Sequence, residues 1–592
     1  MLDGATFARM LRDFRLLLLG AFLCVGVGCG DDSAATGETP DMQSVDMETP
    51  DEGAPEDMGP EVSPVCEELG LTPVAFQEGT GDLFGDVAGD FRVQELDGST
   101  WSFEESFTGC ENMVFFAYFP GVAASDELWT AGLILDPFVE TPLNTHYFFV
   151  TDIGTEGARV GRLQSIERAI EASLDFLEIR GEDRERQLNR FHLVSTQLTT
   201  VEGSVGSFAR SYLEYMGSPE ARVNIGDRNG DGEDDFTGAP LPFAFAIDRD
   251  QRWDPVGSLS TRVGGPQALR MGTFAGDFFD AKARMRERVA AENAAGARVV
   301  SLVDEDVTER VFTRTVTLPD LSGVDTMNFD VSVTCPFRSP FACSEWDRIA
   351  LIEVCLDGAA CEDRREVVRW ITPYWRRGNR RWLIDASPFM GLVASQGPDV
   401  TFRIVMGPNW ERATERRVTM SLRFTSDGGP RSAGAERLYT GGRFDGSYAE
   451  NHPDVSFTVP AGATRVELVT ILSGHGQDGS TNCAEWCDHR HTFTVDGTPL
   501  ATIRHEGGIF VPTGCAERSG EGIPPGQWGN WPQSRAYWCP GLPVDAIRQD
   551  ITSLVTPGVE STVAYDASLA GRPPPTEHNA NISLSTYVVW YE

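Results

Sequence analysis

Beyond about residue 299 the apolar positions fall in short runs rich in β-branched residues, at 311–318, 329–334, 349–354, 418–424, 455–459, 465–471, 491–495 and 582–590, parted by Gly, Pro and Asp turns. Regularly spaced strands with few helices between them predict antiparallel sandwiches. The Gly- and Ser-rich, charged stretch 425–436 reads as the boundary between two of them. Upstream the pattern is mixed. Residues 90–103 read as strand, Asp97-Gly98 turn and strand. Residues 113–119 and 147–150 read as buried strands, 161–179 as an amphipathic helix, 242–250 as a further strand, and 278–297 as a closing helix. The chain is therefore expected to be multidomain, an α/β unit followed by two β-sandwiches, with boundaries at 66–298, 299–430 and 431–592.

The amino-terminal pattern is of another kind. Arg9, Arg12 and Arg15 precede an apolar run at 16–28 that is too short for a stable transmembrane anchor, and this reads as an export signal. Val25-Gly-Val-Gly-Cys29 resembles a bacterial lipoprotein cleavage site, although Gly26 stands where leucine is usual. The resemblance implies removal of residues 1–29 up to a lipidated Cys29. The protein is then an exported, membrane-anchored lipoprotein on the periplasmic face or cell surface. Residues 30–65 are acidic, lack Lys and Arg, and cannot bury enough apolar surface to order themselves, so they read as a disordered linker.

Charge and cysteines narrow the chemistry. With 49 basic against 89 acidic residues and a net charge of −40, the chain lacks the clustered positive charge that a nucleic-acid partner demands. The 41% hydrophobic content supports folded domains. Of twelve cysteines, ten remain after Cys24 and Cys29, an even number clustered in close pairs, which suits disulfides in an oxidising compartment. Zinc is the rival reading, with Cys483 and Cys487 alone at a suitable spacing. The α/β order resembles the thioredoxin-like, peroxiredoxin-type fold, with Pro242 before a strand. Yet Ala117-Tyr-Phe-Pro-Gly-Val-Ala-Ala124 has no thiol where that family carries its cysteine. Cys66 and Cys110 therefore read as a structural bridge rather than a redox pair. Asp227, Asn229, Asp231 and Asp235 alternate around glycine turns as in short calcium loops, though Gly238 stands at the twelfth position. The two readings are a structural calcium ion and an acidic surface turn.

Two segments carry the main functional signal: Cys343-Ser-Glu-Trp-Asp-Arg348 and Cys483-Ala-Glu-Trp-Cys487 each place a carboxylate beside an indole. Indole faces suit the C–H face of a pyranose, and acids suit its hydroxyls or hydrolysis. On a strand, Glu345 and Asp347 would share one face, with Trp346 on the other. Together with Ile371-Thr-Pro-Tyr-Trp375, Ser473-Gly-x-Gly476, His491, Gly529-Asn-Trp531 and Arg535-Ala-x-Trp-Cys-Pro-Gly541, these motifs resemble the peptide-N-glycosidase F family over about 290 residues.

The resemblance implies two jelly rolls and hydrolysis of the N-acetylglucosamine–asparagine amide of N-linked glycoproteins or glycopeptides, without a catalytic cofactor. It matches Asp347 to the principal catalytic acid and Glu485 to a water-ordering glutamate. It also places Trp346, Arg348, Trp410, Arg535 and Trp538 on the cleft. The disulfides it implies are Cys335–Cys343, Cys483–Cys487 and Cys515–Cys539, while Cys355–Cys361 looks like an extra bridge of this chain's own. One position departs from the family: Pro408 stands where a further glutamate is expected, with Glu411 nearby. A glycan-binding lipoprotein without turnover is the alternative. A copper site at His489 and His491 is a third, disfavoured by only eight histidines in the chain.

Overall fold

The computed structural model describes residues 64–592 except 122–128, 130–135, 217–243, 258–265, 336–345, 375–377, 410–414, 477–483, 506–510, 528–529 and 575–579. The expected signal, the expected linker as far as residue 63, the 227–235 loop, Pro242, Glu345, Cys343, Cys483, Trp410 and Glu411 lie outside the described residues, while the last two linker positions open a short helix, Pro64–Leu69. Residues 62–592 make one compact body.

The α/β region opens with a small sheet of β1 (Phe91–Gln94), β2 (Thr100–Ser102) and β6 (Glu202–Gly203), in the order β2-β1-β6. Its main sheet comprises β3 (Asn112–Tyr118), β4 (Thr145–Thr151), β5 (Phe191–Gln197), β7 (Ala244–Ile247) and β8 (Trp253–Gly257). The order is β5-β4-β3-β7-β8, with β3, β4 and β5 parallel and β7 and β8 antiparallel to their neighbours. β3 is buried on both faces, which is why it reads as an unbroken apolar run. Phe115 stacks on Phe148 and Phe245 of the flanking strands at centroid distances of 4.7 and 4.8 Å, fixing the register across three strands. Cys66 and Cys110 are bonded.

Two helices differ from expectation. The helix expected at 161–179 spans Glu156–Phe176, because Thr155 is extended and Glu178 turns the chain with φ +58°. The helix expected at 278–297 begins far earlier and spans Pro266–Ala294, since proline is favoured in a first helical turn.

Among the described residues, sixteen strands follow in two sandwiches. The first contains β9 (Arg298–Val307), β10 (Val311–Thr317), β11 (Thr326–Cys335), β12 (Ile349–Cys355), β13 (Arg364–Ile371), β14 (Gly378–Asp385), β15 (Asp399–Val405) and β16 (Arg416–Thr425). The second contains β17 (Ser432–Arg443), β18 (Val455–Phe457), β19 (Arg465–His475), β20 (His489–Val495), β21 (Thr498–Pro499), β22 (Ile547–Asp550), β23 (Ser561–Leu569) and β24 (Asn581–Tyr591). Counted within each sandwich, one sheet has the strand order 1-8-3-6 and the other 2-7-4-5, so both repeat one doubled Greek-key plan. The expected boundary at 425–436 is shorter than its composition suggests. Ser432 to Glu436 already pair with β24 through a bulged register, and a side chain at Gly434 would meet the Trp590 ring 2.2 Å away.

The sandwiches share one apolar core in which Trp370 and Ile371 of the first lie with Val469, Ile471, Tyr587 and Val589 of the second. A buried polar lock crosses this seam. Arg369 donates from Nε and Nη2 to Glu366 at 2.7 and 2.8 Å, and from Nη1 to Ser473 Oγ and Ser583 O at 2.8 Å each. Ser585 Oγ donates to the same glutamate at 2.6 Å, and Tyr587 donates to its carbonyl. The segment after Cys539 also covers the edge of β13, through Gly541 N to Ile371 O, Ile371 N to Leu542 O and Val544 N to Arg369 O, all at 2.9 Å.

Candidate active site at the junction of the sandwiches

Asp347 does not lie on a strand. It follows the bend at Trp346 and precedes β12, in a turn clipped from the side. Arg348 N donates to Thr372 Oγ1 at 2.8 Å, Thr372 N to Arg348 O at 2.9 Å, and Thr372 Oγ1 to Trp346 O at 3.1 Å. The clip presents Asp347 and Trp346 together toward Tyr374. The indole of Trp346 lies 6.1 Å from the Tyr374 ring, edge to face, and remains 47% exposed.

Glu485 comes from the other sandwich, on the loop between β19 and β20. Its carbonyl accepts from Ala536 N at 3.0 Å, and Ala536 O accepts from Gly474 N at 3.2 Å. His489 and His491 point inward here. His489 Nε2 donates to Ala484 O at 2.8 Å, so its Nδ1 accepts from His491 Nε2 at 2.7 Å. His491 Nδ1 in turn accepts from the Tyr565 hydroxyl at 2.7 Å. Burial lowers both imidazoles below their usual range, His489 to about 4. Their ring nitrogens are consumed by this ladder, which props the backbone beside Glu485; the strand spacing that suggested a metal pair serves packing.

The two carboxylates converge on Arg535. Its Nε lies 3.1 Å from Glu485 Oε1 and its Nη2 3.4 Å from Asp347 Oδ2. The guanidinium also donates to Asn530 Oδ1 at 2.7 Å and Gln533 O at 2.9 Å, and sits 4.7 and 4.8 Å from the rings of Trp486 and Trp538. Arg535 and Trp538, expected to line the cleft, are buried at 0% and 2% exposure. Trp538 donates to Gly474 O at 2.6 Å and stacks on His475, so its indole supports the arginine and offers no open face. Of the expected tryptophans that are described, Trp346 alone presents one.

Two acids sharing one buried cation carry a net charge of −1 when both ionise, which a dry site resists. Asp347 is pushed up to about 7, chiefly by burial, with Arg535 opposing the rise and Glu485 adding to it. Glu485 is raised by burial against the pull of Arg535. The Tyr374 hydroxyl hydrogen-bonds Asp347 and lies 3.2 Å from Asn530 Oδ1; its own ionisation is pushed far up by burial and by Asp347. Such a site holds a carboxylate able to take a proton near neutral pH.

Sequence reasoning gave no role to Tyr374 or Asn530, although each stands within a quoted motif; Trp486, whose indole was expected to meet a sugar, is instead buried against Arg535. Pro408 is half-buried just after β15. Cys355–Cys361 and Cys515–Cys539 are bonded, and Cys335 and Cys487 are disulfide-bonded as well. Among the described residues no cluster of three or more His, Cys, Asp or Glu could hold a metal ion.

Residues 444–589 match the family described as Peptide-N-glycosidase F, C terminal. Over 266 residues the chain is 28% identical to peptide-N(4)-(N-acetyl-beta-D-glucosaminyl)asparagine amidase F of Elizabethkingia miricola, covering 43% of this chain and 70% of that one. Among solved structures, a peptide-N(4)-(N-acetyl-beta-D-glucosaminyl) asparagine amidase is 22% identical with a TM-score of 0.40. PNGase F from Flavobacterium meningosepticum is likewise 22% identical, with a TM-score of 0.38. Each covers 50% of this chain and 96% of its own. The carboxy-terminal part of the chain is therefore similar to the peptide-N-glycosidase F family.

Proposed function

We propose that the protein hydrolyses the amide joining N-acetylglucosamine to asparagine in N-linked glycoproteins or glycopeptides. The carrying observation is the convergence of Asp347 and Glu485, from separate sandwiches, on Arg535 beneath the exposed indole of Trp346. In this reading a sugar rests on Trp346 and Asp347 takes a proton from water as its oxygen attacks the asparagine side-chain carbonyl. The carbon–nitrogen bond breaks, the proton passes to the departing nitrogen, and the products are aspartate and a glycosylamine that decays to free glycan. Glu485 orders the water. Arg535, fully buried, holds the two acids at one distance from each other.

The order of the main α/β sheet, with an antiparallel pair on one side of parallel strands, supports a thioredoxin-like fold for that region, and the repeated Greek-key plan supports two jelly rolls. The lipid anchor at Cys29 and the calcium loop at 227–235 enter the proposal from the sequence alone. A glycan-binding protein without turnover is the second reading, motivated by Pro408. The test is incubation with an N-glycopeptide in oxygen-18 water. Labelled aspartate supports the amidase; unlabelled peptide with glycan binding retained supports the binder.

A further inference from the structure

The Pro266–Ala294 helix belongs to the α/β region, yet its contacts reach the site. Gly272 and Gly276 seat one of its faces against the main sheet: an added Cβ would lie 2.6 Å from the Phe116 ring at the first and 2.1 Å from Thr145 Oγ1 at the second. With 100° of rotation per residue, Phe274 midway between them faces the opposite way. It is 9% exposed and joins the buried cluster of Tyr374, Cys515, Ile523, Trp531 and Leu542. The cluster is braced by the Cys515–Cys539 bond and by the buried Gln527, whose Oε1 accepts from Tyr374 N at 2.9 Å. Further along, Arg284 donates to Gly520 O at 3.4 Å. At the helix end, Arg423 of β16 donates to Glu292, Asn293 and the Val289 carbonyl at 2.9, 2.7 and 3.2 Å. The helix is thus pinned to both sandwiches, and its rotation is fixed by glycine.

We propose that the α/β region is a fixed part of the catalytic wall, with Phe274 a positioning residue that holds Tyr374 against Asp347. The activity arm of this proposal rests on the amidase reading. The groups facing Asp347 are Tyr374 from its own sandwich and Arg535 and Glu485 from the other. Loss of the Phe274 ring leaves a cavity behind Tyr374, which relaxes the hydroxyl and lets water reach the carboxylate.

The test uses Phe274→Ala and Phe274→Leu in the full chain. Phe274→Ala is expected to lower kcat by about ten- to a hundredfold with KM little changed, because misplacement of reacting groups by an ångström costs that much. The acid limb of its pH profile moves to lower pH, and Phe274→Leu restores most of both. A second readout needs no turnover: the gain in stability that Asp347→Asn gives at pH 8 over pH 5 should shrink in the Phe274→Ala background. An equal gain in both backgrounds, with an unmoved pH profile, overturns the proposal. A shrunken gain in a protein with no turnover supports the positioning role and overturns the amidase reading instead.

Discussion

Replacing Asp347 with Asn should stabilise the protein, and more so as pH rises. Burial holds this carboxyl at about 7 against an ordinary 3.8. Between those values the native state binds a proton that the unfolded chain has already lost. Stability therefore falls as pH rises through the window and is lowest above it. At about 1.4 kcal/mol per pH unit, the native state is less stable than at low pH by about 4 kcal/mol at pH 8 and by about 2 kcal/mol at pH 5. Asparagine keeps the shape of the protonated acid and never ionises, so its advantage should grow by roughly 2–3 kcal/mol between the two pH values. Urea unfolding of both proteins, followed by tryptophan fluorescence at pH 5 and pH 8, measures this growth. Changes in packing from the new side chain are common to both pH values and cancel. A flat difference, or one larger at pH 5, refutes the reasoning, for it would mean that Asp347 is solvated and ionises as an ordinary carboxylate.

Three further outcomes follow from the same geometry. Turnover should rise through about pH 7 as Asp347 ionises, and Glu485→Gln, which removes a repelling charge, should move that limb to lower pH in a pH–rate profile. Arg369→Met leaves Glu366 buried without its cation across the seam between sandwiches, so denaturant titration should show a loss of about 3–5 kcal/mol. Gly474→Ala would put a methyl 1.9 Å from Ala484 O and 2.5 Å from His489 Nε2, and should lower the melting temperature while displacing Glu485 enough to suppress turnover.

The strands that sequence pattern exposed are those with one plain role, such as β12 and β24, whose β-branched runs sit between turn residues. It passed over β13 and β14, where Arg364, Arg365, Arg369, Arg380 and Arg381 break the apolar pattern. Arg369 there is buried against Glu366 and the serines of the neighbouring sandwich. A charge buried against an acid three residues away and a serine more than a hundred residues away looks, in one dimension, like a charge that faces water. The same blindness explains the site. Asp347 and Glu485 were legible because each stands in a short motif with cysteine and tryptophan. The resemblance placed Trp538 and Arg535 on the cleft, whereas here both are buried, the guanidinium over the indole ring and each polar edge bonded elsewhere. Tyr374 escaped altogether, since its importance lies in what surrounds it on three sides: Asp347 at the hydroxyl, Trp346 at the ring edge, and behind it an apolar cluster closed by a phenylalanine from another part of the chain. Residue type and spacing reveal chemistry that is local. A group whose task is to connect elements distant in sequence becomes visible only when the fold has brought those elements together.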